Sequence, residues 1–136
     1  MSTVPATSIS VSRAVLALRV TVAVLLGIHG FYRAFAGGVA GFGSYLTISG
    51  IPFGLSLAWL ITVFEMAGSL LLLAGRFVSA VVPGFLLILV SGVVMVHARE
   101  GWFVVGGGRN GAEYSVLLIV SLLIVLLSHR AATSHR

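Results

Sequence analysis

Long apolar segments constrain the fold of this chain more than any other feature. The clearest one runs from Leu55 to Gly75 and contains a single ionisable residue, Glu65. About 20 helical residues cross a hydrocarbon core roughly 30 Å thick, and a helix satisfies its own backbone polar groups within lipid. Four segments approach this length, at about 14–35, 55–75, 77–97 and 111–128. The sequence therefore predicts an all-α integral membrane four-helix bundle over residues 13–128.

The composition agrees with a surface that faces lipid. Of the 136 residues, 59% are apolar and 8% are charged, and the mean hydropathy is +1.17. A soluble domain carries about 25% charged residues. All eight basic residues are arginines that stand singly, without the basic patch that nucleic-acid binding requires. The absence of cysteine excludes disulfides, thiol redox chemistry and thiolate metal sites in this chain.

The arginines also predict the orientation of the spans. Four spans place both tails on one side of the membrane. These tails are residues 1–12 and the basic segment 129–136. That side carries four arginines, and the other carries three together with two glutamates. The positive-inside rule then favours cytoplasmic termini in a bacterial-type cytoplasmic membrane. The first set is Arg13, Arg76, Arg130 and Arg136; the second is Arg33, Arg99 and Arg109.

Glu65 lies about ten residues from either end of its segment, near the middle of the bilayer. A charged side chain there costs roughly 2.5–3.5 kcal/mol on insertion scales, so it normally faces a partner or a wet cavity. Thr62, Ser69 and Arg76 fall on the same helix face. Two interpretations remain open: Glu65 is neutralised by Arg19 or Arg33 in a structural role, or it belongs to a functional site.

The first span places its ionisable residues on one side. Arg19, His29 and Arg33 fall within one arc of the helix, which predicts that this arc faces protein. Gly27 and Gly30 would let a neighbouring helix come close. His29 could equally form a simple bond to a backbone carbonyl.

The two longer connections have different patterns. Residues 36–54 are rich in glycine and uncharged, which favours a loop or re-entrant segment with Phe42, Tyr45 and Phe53 as interfacial anchors. In the second connection, Trp102 is an expected anchor, and His97 ends the third span. Asn110 followed by Glu113 reads as a capping box at the start of the fourth helix, although capping and ligand contact are compatible.

Each span thus contributes a histidine or a glutamate that could help to build a polar site within the membrane. A quinone site suits these residue types, because it needs apolar or aromatic walls and a few groups that handle protons. Glu65 and His29 are the expected proton-handling residues. The predicted cofactor-binding set is His29, Arg33, Glu65, His97, Trp102 and Glu113. A di-metal centre is less favoured, since no Glu-x-x-His motif is present.

Several short motifs together resemble the DoxX family of small four-span membrane proteins. They are Gly27-Ile-His29-Gly30-Phe31, Gly41-Phe-Gly-Ser-Tyr-Leu46, Gly50-Ile-Pro52, Glu65-Met-Ala-Gly68, His97, Gly101-Trp-Phe103 and Glu113-Tyr114. The resemblance covers roughly residues 13–128 and departs at Ser69, where a second glycine is common. It implies a four-helix membrane bundle with a link to redox complexes, such as the small membrane subunit of thiosulfate:quinone oxidoreductase.

The favoured function is a small membrane subunit of a quinone-linked oxidoreductase, with no reaction assigned to the chain alone. Expected partners are the lipid bilayer and other subunits of a redox complex or further copies of the chain, and not nucleic acid. The alternative is a non-enzymatic anchor or assembly partner whose buried charges fix helix packing. A small-solute or proton carrier ranks last, because the third span offers few polar residues.

Overall fold

The computed structural model describes residues 6–105 and 109–134. Helix α1 runs Ala6–Phe35, α2 Gly38–Ile48, α3 Gly54–Leu73 and α4 Val78–Gly92. Helix α4 continues through a π-helical turn, Val93–His97, into the short α5, Ala98–Glu100. Helix α6 runs Glu113–Ser134. The described residues contain no strand, which confirms the all-α prediction.

Four helical segments are long and apolar enough to cross a membrane: Ser10–Phe35, Gly54–Leu73, Val78–Glu100 and Glu113–Ser134. The chain is therefore a multi-pass membrane protein. Two of these segments extend beyond their predicted C-terminal ends: α6 continues six residues past Ser128, and the third span reaches Glu100. The expected N-terminal tail is also shorter, because α1 begins at Ala6; residues 1–5 of that tail lie outside the described residues.

The chain divides into two compact units, residues 23–76 and residues 1–22 with 77–136. In the first unit, the latter part of α1 packs closely on α3. A Cβ atom on Gly30 would lie 2.8 Å from the Cβ of Glu65, and one on Gly27 would lie 2.9 Å from the Oγ of Ser69. The glycines on α1 therefore allow close contact with α3, with Gly30 beside Glu65. A larger side chain at either glycine would collide with α3.

Residues 36–54 were expected to form a loop or a re-entrant segment. Helix α2 shows that the loop is wrong, and the re-entrant alternative stays a prediction. The chain breaks after α1 at Gly37, whose φ of +75° is a conformation that glycine adopts without a steric penalty. The glycines that follow lie within α2 without interrupting it. One of them, Gly43, packs against the backbone of Leu55 and thus forms part of the helix contact. Gly54 lies equally close to Gly43 and Thr47. Helix α2 thus packs beside the first turn of α3.

The second unit is built around α4 and α6. Apolar residues at helical spacing form its core. They are Val78, Val81, Val82 and Phe85 on α4, and Leu118, Leu122, Val125 and Leu126 on α6. Pro83 lies within α4 without ending it. The widened π turn Val93–His97, which ends at His97, changes the direction of the side chains that follow it.

Candidate functional site

An ion pair lies inside the unit formed by residues 23–76. The Nη1 atom of Arg33 on α1 donates a hydrogen bond of 2.6 Å to Oε2 of Glu65 on α3. The Glu65 side chain is 7% exposed and that of Arg33 is 21% exposed. Both residues belong to membrane-spanning segments. Each charge is therefore stabilised by the other in surroundings where water does not solvate it.

The packing of α1 on α3 explains why these two residues meet. Gly30 lies directly against Glu65, and Arg33 follows it by three residues, on the same face of α1. The Arg33 side chain therefore needs to reach only one turn along the helix surface to meet the carboxylate. The sequence left Arg19 and Arg33 open as partners of Glu65, and the structure selects Arg33.

Two further residues complete the surroundings of the guanidinium. The Oγ1 atom of Thr62, one turn before Glu65 on α3, accepts a second bond from Nη1 of Arg33 at 3.4 Å. The same hydroxyl donates to the carbonyl of Ala58 at 2.7 Å, so it both accepts and donates a bond. The Phe42 ring of α2 lies 4.6 Å from the guanidinium carbon, a cation–π distance. We call Arg33, Glu65, Thr62 and Phe42 the arginine cluster.

The arginine cluster joins all three helices of its unit. It contains a planar hydrogen-bond donor, a carboxylate that can accept a proton and an aromatic face, all within apolar surroundings. Attraction between the charges is stronger there than in water because of the low dielectric constant. The cluster can therefore either fix the three helices or present polar groups to a ligand in the membrane.

Sequence reasoning missed Phe42 and left Thr62 out of the predicted site. Thr62 had a detectable signal, because it lies three residues before Glu65 on the polar face of α3. Phe42 had none. It was expected as an interfacial anchor and instead contacts Arg33, because residues 38–48 form a helix that turns its ring inward.

His29 does not join the arginine cluster by a hydrogen bond within the described residues. It precedes Gly30 on α1, and its side chain is exposed. Helical phase places it on the arc of Arg33, but Arg33 takes the position beside Glu65. The predicted roles of His29 as a proton-handling and ligand-binding residue stay predictions.

The other predicted site residues lie in the second unit, where they support the connection between α5 and α6. His97 Nδ1 is 2.7 Å from the carbonyl oxygen of Asn110. Glu113 Oε1 accepts a bond of 3.0 Å from the amide of Val104. Trp102 is 54% exposed. These contacts hold the connection against the start of α6.

The expected capping box at Asn110 is wrong. Helix α6 begins at Glu113, so this glutamate occupies the first turn and its carboxylate bonds to Val104 instead of the amide of Asn110. Backbone amides of Gly111, Ala112 and Glu113 bond the carbonyls of the preceding connection, which is what brings Val104 within reach.

The described residues contain no group of three or more histidine, cysteine or acidic side chains placed to hold a metal ion. The described residues contain instead an ion pair between α1 and α3, which Phe42 of α2 completes as the arginine cluster, and a hydrogen-bonded connection before α6. Together with the four apolar segments, these features define a small four-span membrane protein with a polar cluster inside one unit.

The chain belongs to the DoxX family, since the DoxX family model matches residues 14–98. The matched part includes α1 from Ala14 onward, α2, α3 and the third span as far as Ala98, and thus the whole arginine cluster. The connection after α5 and helix α6 lie outside it. No curated protein and no solved structure matches the chain.

Proposed function

We propose that this chain is a small membrane-embedded subunit of a quinone-linked oxidoreductase, in which the arginine cluster binds the quinone headgroup and handles its protons. The observation that carries this proposal is the Arg33–Glu65 pair, placed against the Phe42 ring within a membrane-spanning unit. Membership of the DoxX family supports it, because the family resemblance implies a link to quinone-coupled redox complexes.

The residues of the cluster fit a quinone headgroup. A bound quinone would supply two carbonyl oxygens that take up two electrons and two protons in total. A guanidinium carries five N–H groups, and both bonds described above use Nη1. Arg33 can therefore donate to a carbonyl oxygen while it still holds Glu65. Phe42 supplies an aromatic wall beside this donor.

Glu65 has the proton-handling role in this proposal. Its carboxylate is hydrogen-bonded to Arg33 and shielded from water, so it stays close to any group that Arg33 binds. Proton transfer needs a separation of about 2.6–3.2 Å or one bridging water. The electrons come from a partner subunit that carries the donor site. His29, exposed on α1 one turn before Arg33, is the proposed route for proton exchange with the outside of the unit.

The test is the quinone content of the protein purified from its native membrane in mild detergent. We expect close to one quinone per chain in the wild type, and loss of it in Glu65→Gln together with loss of quinone-dependent turnover of the complex. Glu100→Gln is the matched control, because it makes the same chemical change at an exposed residue of α5. Wild-type protein with quinone only at the level of co-purified lipid would contradict the proposal.

A second candidate function is a non-enzymatic anchor or assembly partner for a redox complex. It is favoured by the ion pair itself, because both charges and the Thr62 hydroxyl already have partners within α1 and α3. Removing both charges in Arg33→Gln/Glu65→Gln separates the candidates. The anchor predicts normal recovery of partner subunits with normal turnover, whereas the redox subunit predicts normal recovery with lost quinone and lost turnover.

A further inference from the structure

Arg19 is a cation inside a membrane-spanning segment that has no counter-charge among the described residues. It lies within the segment Ser10–Phe35 of α1. Its Nε atom is buried and has no hydrogen-bond partner in the described part of the chain. The residue falls on the same face of α1 as the buried Val22 and Ala23, three and four positions later. Arg19 therefore does not simply point away from the protein into lipid.

The acidic residues of the chain do not compensate Arg19. There are only three, Glu65, Glu100 and Glu113. Glu65 is paired with Arg33, and Glu113 accepts from the amide of Val104. Glu100 is exposed on α5 and forms no ion pair within the described residues. Since no acidic side chain pairs with Arg19 within the described residues, we look for its counter-ion outside them.

The position of Arg19 along α1 indicates which anion this is. The segment Ser10–Phe35 has 26 residues, about 39 Å of helix, which exceeds a hydrocarbon core of roughly 30 Å. The excess falls at the start, where Ser10, Ser12 and Arg13 are polar. This excess is about six residues, so Arg19 lies about one turn inside the membrane boundary.

Its side chain can reach that boundary. Helical side chains tilt toward the N-terminus of their helix, and long arginine side chains extend to the polar layer. For Arg19 this direction leads toward Arg13, which is exposed and adds positive charge at the same membrane surface. Phosphate groups are the anions of this layer, and a guanidinium forms strong charge-assisted hydrogen bonds with them.

We propose that Arg19 binds the phosphate of an anionic phospholipid. The inference is independent of the proposed redox function, since it uses neither the arginine cluster nor a quinone. It predicts a lipid that stays with the protein during purification and that stabilises it.

The test uses the full chain in nanodiscs and in detergent with phosphatidylglycerol or phosphatidylcholine as probes. Native mass spectrometry should show one retained phosphatidylglycerol per wild-type chain. Arg19→Gln should lower the affinity for phosphatidylglycerol about tenfold or more, as expected for loss of a charge-assisted bond. Arg130→Gln is the matched control, with the same charge change at an exposed residue of α6, and should retain the lipid.

Three results would overturn the proposal. One is equal phosphatidylglycerol binding by wild type and Arg19→Gln. Another is a partner subunit that is lost in Arg19→Gln while lipid binding is unchanged, since the counter-ion would then be a partner carboxylate. The third is equal stabilisation of the detergent-purified protein by inorganic phosphate, which would assign the site to a free anion.

The proposal can still be tested if Arg19→Gln fails to fold. Arg19→Lys keeps the charge and should be recovered with its preference for phosphatidylglycerol. The wild type alone also provides a readout, because its thermal unfolding temperature should rise with the fraction of phosphatidylglycerol in the nanodisc. A temperature that is independent of this fraction would contradict the proposal.

Discussion

The Arg33–Glu65 pair is the residue-scale feature on which both candidate functions depend. Removing one member leaves the other as a buried or half-buried charge without its partner. For buried pairs this costs about 3–5 kcal/mol, and the 21% exposure of Arg33 lowers the cost when Glu65 is the member removed. We expect Arg33→Gln to reduce the free energy of unfolding more than Glu65→Gln does.

The double variant Arg33→Gln/Glu65→Gln should be more stable than the sum of the single losses predicts. Two neutral amides can hydrogen-bond each other where the charges stood, so a coupling energy of about 1–3 kcal/mol is expected. Denaturant unfolding in detergent micelles measures all four proteins of the cycle. Strict additivity would show that the pair does not contribute to stability.

Gly30 gives a second residue-scale prediction. In Gly30→Ala the new methyl group would lie 2.8 Å from the Cβ of Glu65 and 3.0 Å from the amide nitrogen of Met66. The helices must separate to accept it, and overpacking of this kind typically costs about 1–3 kcal/mol. Thermal unfolding should show a lower transition temperature.

Gly41→Ala is the matched control for Gly30→Ala. It makes the same substitution in α2, where the added Cβ meets nothing within 4 Å. Alanine is favoured over glycine within a helix by about 0.5–1 kcal/mol, so this variant should be as stable as the wild type or more so. Equal destabilisation by both substitutions would mean that helix propensity or lipid contact, rather than the α1–α3 contact, sets the effect.

At the scale of elements, the connection between α5 and α6 is held by a small set of bonds. Glu113 is the side chain that reaches back from α6 to the amide of Val104. Losing one such bond costs about 0.5–1.5 kcal/mol, which raises the open fraction of the connection roughly 2–10-fold. Glu113→Ala should therefore be cleaved faster by trypsin at Arg109, which is exposed in this connection.

The control for this prediction is Glu100→Ala, which removes an exposed carboxylate at the end of α5. It should leave the cleavage rate at Arg109 unchanged, as followed by mass spectrometry of the released peptides. Equal acceleration in both variants would indicate a charge effect on the protease. Unchanged cleavage in Glu113→Ala would show that the backbone bonds alone hold the connection.

At the scale of the whole molecule, four spans imply that both ends of the chain lie on the same side of the membrane. The arginine distribution predicts that this side is the cytoplasm. The chain has no cysteine, so single cysteines at Ser12 and Ser134 report on the two ends and one at Ser49 reports on the turn before α3. A membrane-impermeant maleimide should label only Ser49→Cys in intact cells.

Inverted membrane vesicles should reverse this labelling pattern. Opposite labelling of the two terminal positions would mean an odd number of crossings. Labelling of both terminal positions in intact cells would keep the four spans and place the termini outside the cell. The two results contradict different parts of the topology and are therefore distinguishable.

Local sequence patterns were enough to predict the class of protein and the number of spans. Runs of about 20 apolar residues indicate membrane-spanning helices, because lipid offers no hydrogen-bond partner to backbone N–H and C=O groups. The sequence also singled out Glu65, since one carboxylate in such a run needs a partner. These conclusions follow from local composition and helical period, which do not depend on how the helices pack.

Which residues meet depends on how the helices pack, and this became known only from the fold. Arg19 and Arg33 were equivalent partners of Glu65 in the sequence, and the contact of Gly30 with Glu65 selects Arg33. Likewise, glycines in residues 36–54 indicated a loop or a re-entrant segment, whereas Gly43 and Gly54 allow α2 to pack on α3 and place Phe42 beside the guanidinium. Close approach of helices depends on the surface that each presents to the other, and a pattern within a single segment does not contain that information.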